Sequence, residues 1–331
     1  MTIEYRSQPG HIQNFIEQYA ARFVGWDLDG TLANTERLHR ALCRSALQEI
    51  SGGVISEREF GSLRYRSAFG LPGGETSLHL AKTLKENNPG GFRHALRFAL
   101  SRELVGDSCE TVAQALTQLR DETFAFYIKN ATLRRTDENA GTRHLVLSPP
   151  LREVDERSAR RWETLKDVRV HTYPYVLEAL ETFERHGLTQ GICTSSGKCF
   201  VHPLIRALGL TSYFESIVTA DCVPSGQHKP EPTPWHILRA RLEGAEPRHR
   251  NYEPITDMLF IENSAGGGFS SIRAGQSPTF VIADNIAATV GKMQAKMRAT
   301  KGDPDYVVHG RAIFIDSLGA LVAPSRSSCD L

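Results

Sequence analysis

The sequence predicts an α/β protein, a doubly wound, parallel, Rossmann-like sheet core that carries a second, mainly helical domain. Three observations lead to this class. Short apolar runs bounded by turn residues recur through the second half of the chain, with helical patterns between them. A long stretch of helical periodicity with almost no strand signal interrupts the first half. Two aspartates close the first apolar run, at the sheet edge where open α/β folds place their ligands.

The elements follow in order. The first apolar run is Phe23 to Trp26, and from Arg37 to about Asn130 the pattern is helical, with Val112, Ala115, Leu116, Leu119 and Phe124 on one apolar face. From Ala131 to Asp167 the chain is rich in Arg, Glu and Asp around Ser148-Pro149-Pro150, which reads as a long surface excursion or as an added hairpin. Strands are then expected at Thr189 to Cys193, Ser216 to Thr219, Met258 to Ile261, Thr279 to Ile282 and Tyr306 to Val308. Helices between them are expected at Val201 to Leu208, Pro234 to Leu242 and Phe269 to Ala274, closed by Gly209, Gly244 and Gly275. This assigns residues 1–36 and 169–331 to the core and 37–168 to the helical domain, with an extra polar insertion at about 131–167. The polar tail Ser325 to Leu331 is expected to be frayed.

Size and charge narrow the functional classes. A chain of 331 residues fits two domains of roughly 150 each. Lys plus Arg (39) nearly balance Asp plus Glu (38), so no global field draws the protein to nucleic acid or to an anionic membrane. Any phosphate it binds must be held by a local site. The six cysteines show no CxxC pairing and read as reduced thiols of a cytosolic protein. No apolar stretch approaches the 18 or so residues of a membrane span, so a cytoplasmic location without a membrane partner is expected.

Chemistry concentrates in four short segments. In Asp27-Leu28-Asp29-Gly30-Thr31-Leu32 the two carboxylates at i and i+2 project to one side of an extended chain, and Gly30 permits a sharp turn. Acids so placed need a cation, a substrate or a shared proton. A calcium loop also begins Asp-x-Asp-Gly, but its fifth and twelfth positions here hold Thr31 and Leu38 instead of an oxygen ligand and a glutamate. Cys193-Thr194-Ser195-Ser196-Gly197 ends another strand with hydroxyls that can donate to phosphoryl oxygens, although such a run is also an ordinary turn. His228-Lys229-Pro230-Glu231-Pro232 sets a lysine on a proline-stiffened loop, where a solvated side chain is the plainer reading. Glu262-Asn263 follows a further strand and offers an oxygen-rich pair suited to a divalent metal.

The order of these segments resembles the haloacid dehalogenase superfamily of phosphotransferases, with its phosphoglycolate phosphatase and β-phosphoglucomutase branches. Its four motifs are matched by Asp27 to Thr31, by Thr194, by Lys229 to Pro232, and by Glu262-Asn263. The resemblance runs over residues 23–320 apart from about 131–167. Two departures stand out. Pro174-Tyr175 replaces the usual Pro-Gly, which should alter the local turn, and Asn263 replaces a second aspartate.

The resemblance implies a Mg2+-dependent phosphatase that hydrolyses a small phosphorylated metabolite. Asp27 would be the nucleophile, forming an aspartyl-phosphate, and Asp29 the general acid and base, with a pKa raised under a closed cap. Thr194 and Lys229 would hold the phosphoryl group together with Gly30, Ser195 and Ser196. Mg2+ would bind Asp27, the backbone carbonyl of Asp29 and Asn263, with Glu262 beside them. The helical domain would be the family's cap, closing over the sheet edge and excluding water. Arg64 and Arg66 stand where such caps carry specificity residues, a solvated basic patch being the equal alternative. Asp29 favours a phosphatase over dehalogenase and phosphonate-cleaving relatives, which lack an acid there. A sugar-phosphate mutase and a catalytically weak binding or regulatory protein are the alternatives.

Overall fold

The computed structural model describes residues 3–5, 12–53, 60, 73–106, 108–135, 142–148, 155–246, 253–283, 286–299 and 310–322. Arg64, Arg66, the expected strand Tyr306 to Val308 and the tail from Ser325 lie outside the described residues.

In chain order the elements are β1 (Ile3–Tyr5), α1 (Ile12–Gln18), β2 (Phe23–Trp26), α2 (Glu36–Ile50), α3 (Gly73–Asn87), α4 (Pro89–Ser101), α5 (Cys109–Asn130), β3 (Ala131–Arg135), β4 (Arg143–Leu147) and α6 (Glu156–Leu165). They continue with β5 (Arg169–His171), α7 (Val176–Arg185), β6 (Thr189–Cys193), α8 (Lys198–Ala207), β7 (Ser216–Val218), α9 (Thr233–Leu242), β8 (Met258–Glu262), α10 (Ala265–Ala274), β9 (Thr279–Ile282), α11 (Ile286–Ala299), β10 (Ala312–Ile315) and α12 (Gly319–Val322). The seven-stranded sheet runs β1-β10-β9-β8-β2-β6-β7, with every pairing parallel. The α/β class with a doubly wound sheet and a helical second layer is therefore what the chain adopts.

The strands β2, β6, β8, β9 and β10 are buried on both faces, as their near-continuous apolar runs require. Gly25 and Gly191 are register partners on β2 and β6. A Cβ on Gly25 would lie 2.7 Å from the Trp235 ring and one on Gly191 would lie 2.6 Å from Leu238, so paired glycines leave the notch in which α9 packs. On the opposite face the Trp26 indole donates to Gln190 Oε1 at 3.0 Å, and the Gln190 amide donates to Leu180 O at 2.9 Å, which satisfies two buried polar groups.

The helices between β2 and β6 own a separate apolar cluster that includes Leu47, Leu80, Leu84, Phe92, Val112, Leu116 and Leu119. Phe124, on the same helix α5, instead joins the main core with Tyr127. The polar stretch after α5 forms a hairpin: β3 pairs with β4, and β4 pairs with β5, all antiparallel. Its apolar residues Leu145, Leu147 and Val170 face the main core. The Arg143 guanidinium donates to Leu208 O at 2.9 Å and to Gly209 O at 2.5 Å, capping the carbonyl end of α8 with a cation.

Three local outcomes differ from expectation. α8 starts at Lys198 and α10 at Ala265, each several residues before the apolar pattern that predicted it. β1 and β10 were not anticipated, because both are short and find their partners only at the sheet's far edge. Tyr175 does not alter its turn: with φ 64° and ψ 3° it adopts the left-handed conformation a glycine would take, and its ring lies where a Cβ on Gly319 would touch it at 3.0 Å.

Candidate active site

Three parallel strands deliver the polar residues to one place. β2 ends at Trp26 and hands on Asp27, β6 ends at Cys193 and hands on Thr194, and β8 ends in Glu262 and hands on Asn263. The chain leaves β2 for β6 on one side and later fills β8 on the other, so the site sits where the winding reverses.

Asp27 is nearly buried, and its carboxylate receives the Lys229 ammonium at 2.8 Å on Oδ1 and the Thr31 hydroxyl at 3.2 Å on Oδ2. Burial raises its pKa, Lys229 opposes that rise, and the Asp29 charge adds to it. Lys229 also donates to Cys193 O at 2.7 Å and to Glu262 Oε1 at 2.6 Å, and it lies 4.7 Å from the centre of the Trp235 ring. Burial alone would favour the neutral amine, but the charges of Asp27 and Glu262 outweigh it and hold the ammonium protonated. The loop carrying Lys229 has a cis bond to Pro230 and is tied to α10 by Ser270, whose hydroxyl donates to Glu231 O, and by the Arg273–Glu231 pair at 3.1 Å.

Glu262 is fully buried, and burial together with the neighbouring Asp27 charge pushes its carboxyl up to about 8 against the pull of Lys229. Its Oε2 has no hydrogen-bond partner among the described residues. A Cβ on Gly267 would fall 2.1 Å from that oxygen, so the glycine at the start of α10 makes room for the carboxylate. The Asn263 amide packs against Gly30, whose φ of 89° forms the turn after Asp29.

Asp29 stands differently from its expected state. Thr35 donates to its Oδ1 at 2.5 Å and His39 Nε2 lies 3.2 Å from the same oxygen, while Thr194 and Ser196 hydroxyls donate to Oδ2 at 3.1 and 2.6 Å. Burial raises its pKa, but the His39 hydrogen bond and charge, with Ser196 and Thr35, outweigh burial and hold the carboxyl well below the ordinary range. The expected raised pKa is thus corrected to a firmly ionised carboxylate. Ser195 sits half-buried on the same turn.

The structure therefore brings Asp27, Asp29, Gly30, Thr194, Ser196, Lys229, Glu262 and Asn263 together. Lys229 is not the solvated loop lysine of the plainer reading, its side chain being 8% exposed. Thr35 and His39 escaped sequence reasoning. Their signal was the i, i+4 spacing at the start of α2, which sets both on one helical face one turn after the aspartate pair.

Among the described residues no group of three or more His, Cys, Asp or Glu side chains is arranged as a metal cage. The donor set nonetheless suits a hard cation, because the Asp27 and Glu262 carboxyl groups share Lys229, one Glu262 oxygen has no donor among the described residues, and the Asn263 amide packs on the turn at Gly30.

A family model for haloacid dehalogenase-like hydrolases matches residues 22–254. The chain is similar to the phosphoglycolate phosphatase of Nitrosococcus oceani, with 36% identity over 114 residues, 34% of this chain and 44% of that protein. It is similar also to the phosphoglycolate phosphatase of Yersinia pestis, with 31% identity over 153 residues, 46% of this chain and 56% of that protein. It thus spans about half the length of the curated relatives it matches. A solved haloacid dehalogenase-like protein of Bacteroides fragilis shares the fold, with a TM-score of 0.50 and 15% identity over 91% of this chain and 100% of that one.

Proposed function

Because the chain belongs to the haloacid dehalogenase-like hydrolases, we propose that it is a phosphatase acting on a small phosphorylated metabolite through an aspartyl-phosphate at Asp27. The observation that carries this reading is the contrast between two aspartates two residues apart. Asp27 faces an ammonium, as a nucleophile meeting a phosphoryl dianion needs, while Asp29 faces four donors, three of them hydroxyls.

The steps follow from these contacts. The phosphoryl group enters between Asp27 and the hydroxyls, where Lys229 neutralises charge on its oxygens and Thr194 and Ser196 turn from Asp29 to donate to them. Asp29 then loses two of its four hydrogen bonds and gains an anionic neighbour, both of which raise its proton affinity, and it takes up one proton from the solvent before transfer begins. Asp27 Oδ attacks phosphorus, the bond to the leaving oxygen breaks, and the proton on Asp29 passes to that oxygen. In the second half Asp29 takes a proton from water as the water attacks the aspartyl-phosphate, which returns Asp27 and releases phosphate. Mg2+, when bound, would be held by Asp27, the backbone carbonyl of Asp29, Asn263 and Glu262, and would supply further charge neutralisation at the phosphoryl oxygens.

Phosphoglycolate heads the substrates to try, since the relatives above are phosphoglycolate phosphatases. The test is release of inorganic phosphate from a panel of phosphorylated metabolites and from p-nitrophenyl phosphate, with and without Mg2+. Asp27→Asn should abolish turnover while its circular dichroism matches wild type; retained turnover would sink the covalent route.

A further inference from the structure

We propose that Phe200 is a positioning residue, the point on the core against which the cap seats and through which His39 is set on Asp29. His39 and Phe200 stack with ring centres 4.2 Å apart and planes 29° from parallel. Phe124 lies against the same ring at 4.5 Å and 35°. His39 belongs to α2 and Phe124 to α5, both helices of the cap, whereas Phe200 belongs to α8 of the core. One core ring is therefore held between two cap rings, and Phe124 and Phe200 are almost wholly buried there, at 3% and 8% exposure.

The place of Phe200 in the chain connects this contact to the chemistry. Its amide donates to Gly197 O at 3.0 Å in the first turn of α8, the turn entered directly from Ser196. Ser196 donates to Asp29 Oδ2 at 2.6 Å, and His39 reaches Oδ1 of the same carboxylate at 3.2 Å. A single helical turn thus addresses Asp29 twice, directly through a hydroxyl and indirectly through the ring that backs the imidazole. Without that ring the imidazole is free to rotate off the carboxylate, since an aromatic stack is what fixes its plane. Because Phe124 bears on the other side, the stack is complete only when α5 is down on the core. The imidazole that steers the Asp29 carboxylate is thus backed by a ring that α5 covers in turn, so the aim of that carboxylate depends on how α5 packs against α8.

The kinetic arm of the test rests on the phosphatase reading; the spectroscopic arm does not. The variants are Phe200→Leu, which keeps an apolar side chain without a ring face, and Phe200→Tyr, which keeps the face. Kinetics are compared on an alkyl phosphate, whose leaving oxygen needs a proton, and on p-nitrophenyl phosphate, which needs little. The expected result for Phe200→Leu is a fall in kcat of about five- to tenfold on the alkyl ester, a smaller fall on the aryl ester, KM within twofold of wild type on both, and recovery in Phe200→Tyr. Equal losses on both esters without recovery in Phe200→Tyr would reduce Phe200 to packing and overturn the proposal. The second arm follows the His39 imidazole Cε1 proton by NMR, assigned by its loss in His39→Gln. It should be shifted upfield by the Phe200 ring current and should relax downfield in Phe200→Leu, and an unmoved resonance overturns the proposal whether or not any ester is hydrolysed. A wild-type protein that releases no phosphate defeats the phosphatase reading, and the NMR shift then decides the positioning role alone.

Discussion

The carboxylate of Glu262 and the ammonium of Lys229 meet 2.6 Å apart where neither is more than 8% exposed, and one Glu262 oxygen is left with no donor among the described residues. The ammonium is held there between the carboxyl groups of Glu262 and Asp27. A buried pair of this kind contributes little relative to apolar packing but costs much when broken, because the surviving partner stays uncompensated. Lys229→Met should therefore destabilise the fold by about 3–5 kcal/mol, since it strands Asp27 and Glu262 side by side. Urea unfolding of wild type and variant measures this. A loss under 1 kcal/mol would mean that the two carboxylates relieve each other by taking up protons.

Asp29 is ionised by its partners before any substrate arrives, and an amide there turns an NH2 toward two of its four donors, so circular dichroism and melts of Asp29→Asn accompany its kinetics. Asp29→Asn should lower the rate on alkyl phosphates by about 10²- to 10⁴-fold, with a smaller loss on p-nitrophenyl phosphate. Steady-state rates on the two esters check this, and equal losses would count against a proton-transfer role.

Asn263 and Gly30 form one unit, because a Cβ on Gly30 would fall 1.9 Å from the Asn263 amide nitrogen in a backbone conformation of φ 89°. Gly30→Ala should push Asn263 aside and raise the Mg2+ concentration for half-maximal activity. Asn263→Asp should lower it, because a hard cation gains more from an anionic oxygen than from an amide. Mg2+ titration of the rate in wild type and both variants reads the two shifts, and an unchanged requirement in Asn263→Asp would remove Asn263 from the metal's ligands.

Away from the site, α6 is bound to α2 and α5 by an ion network in which Arg161 lies 3.3 Å from Glu49 and 3.0 Å from Glu122, and Arg102 lies 2.6 Å from Glu122. Burial raises the Glu122 pKa, but its hydrogen bonds from Arg102 and Arg161 and the Arg157 charge outweigh burial and bring it to about 2, from an ordinary 4.5. A carboxyl with a depressed folded pKa contributes stability that is fully present above its unfolded pKa and lost as pH falls through the folded value. The Tm of Glu122→Gln should therefore lie below wild type above about pH 5, and the two curves should converge as pH falls from about 4.5 toward 2. Glu122 is partly exposed, so the gap should also shrink in high salt. Thermal melts across pH check this, and a gap that persists at pH 2 would contradict it.

Much of the core was legible because its signals are local. The strand Thr189–Cys193 is bounded by turn residues, and the aspartate pair after Trp26 is separated by one residue on an extended chain, so each carries its geometry within a few positions. Lys229 on its proline loop and the Glu262-Asn263 pair were legible only through the order of the four segments, since a solvated lysine is the plainer local reading until its ammonium meets Asp27 and Glu262.

What tertiary structure alone decided are the partners. His39 looks like any polar residue of an amphipathic helix until α2 is laid over Asp29, and Phe200 like any apolar residue of α8 until Phe124 closes on it. The stretch after Asn130 read equally as excursion or hairpin, because β3 and β4 acquire a buried face only when Leu145 and Leu147 meet the core and Arg143 finds the carbonyls at the end of α8. Tyr175 takes a glycine's conformation although its residue type argues against it, with Gly319 leaving room for its ring. The physical reason is common to all of these. Periodicity and turn chemistry are properties of neighbours in sequence, whereas burial, stacking and the protonation of Asp29 are set by groups up to 167 residues away, which no local pattern encodes.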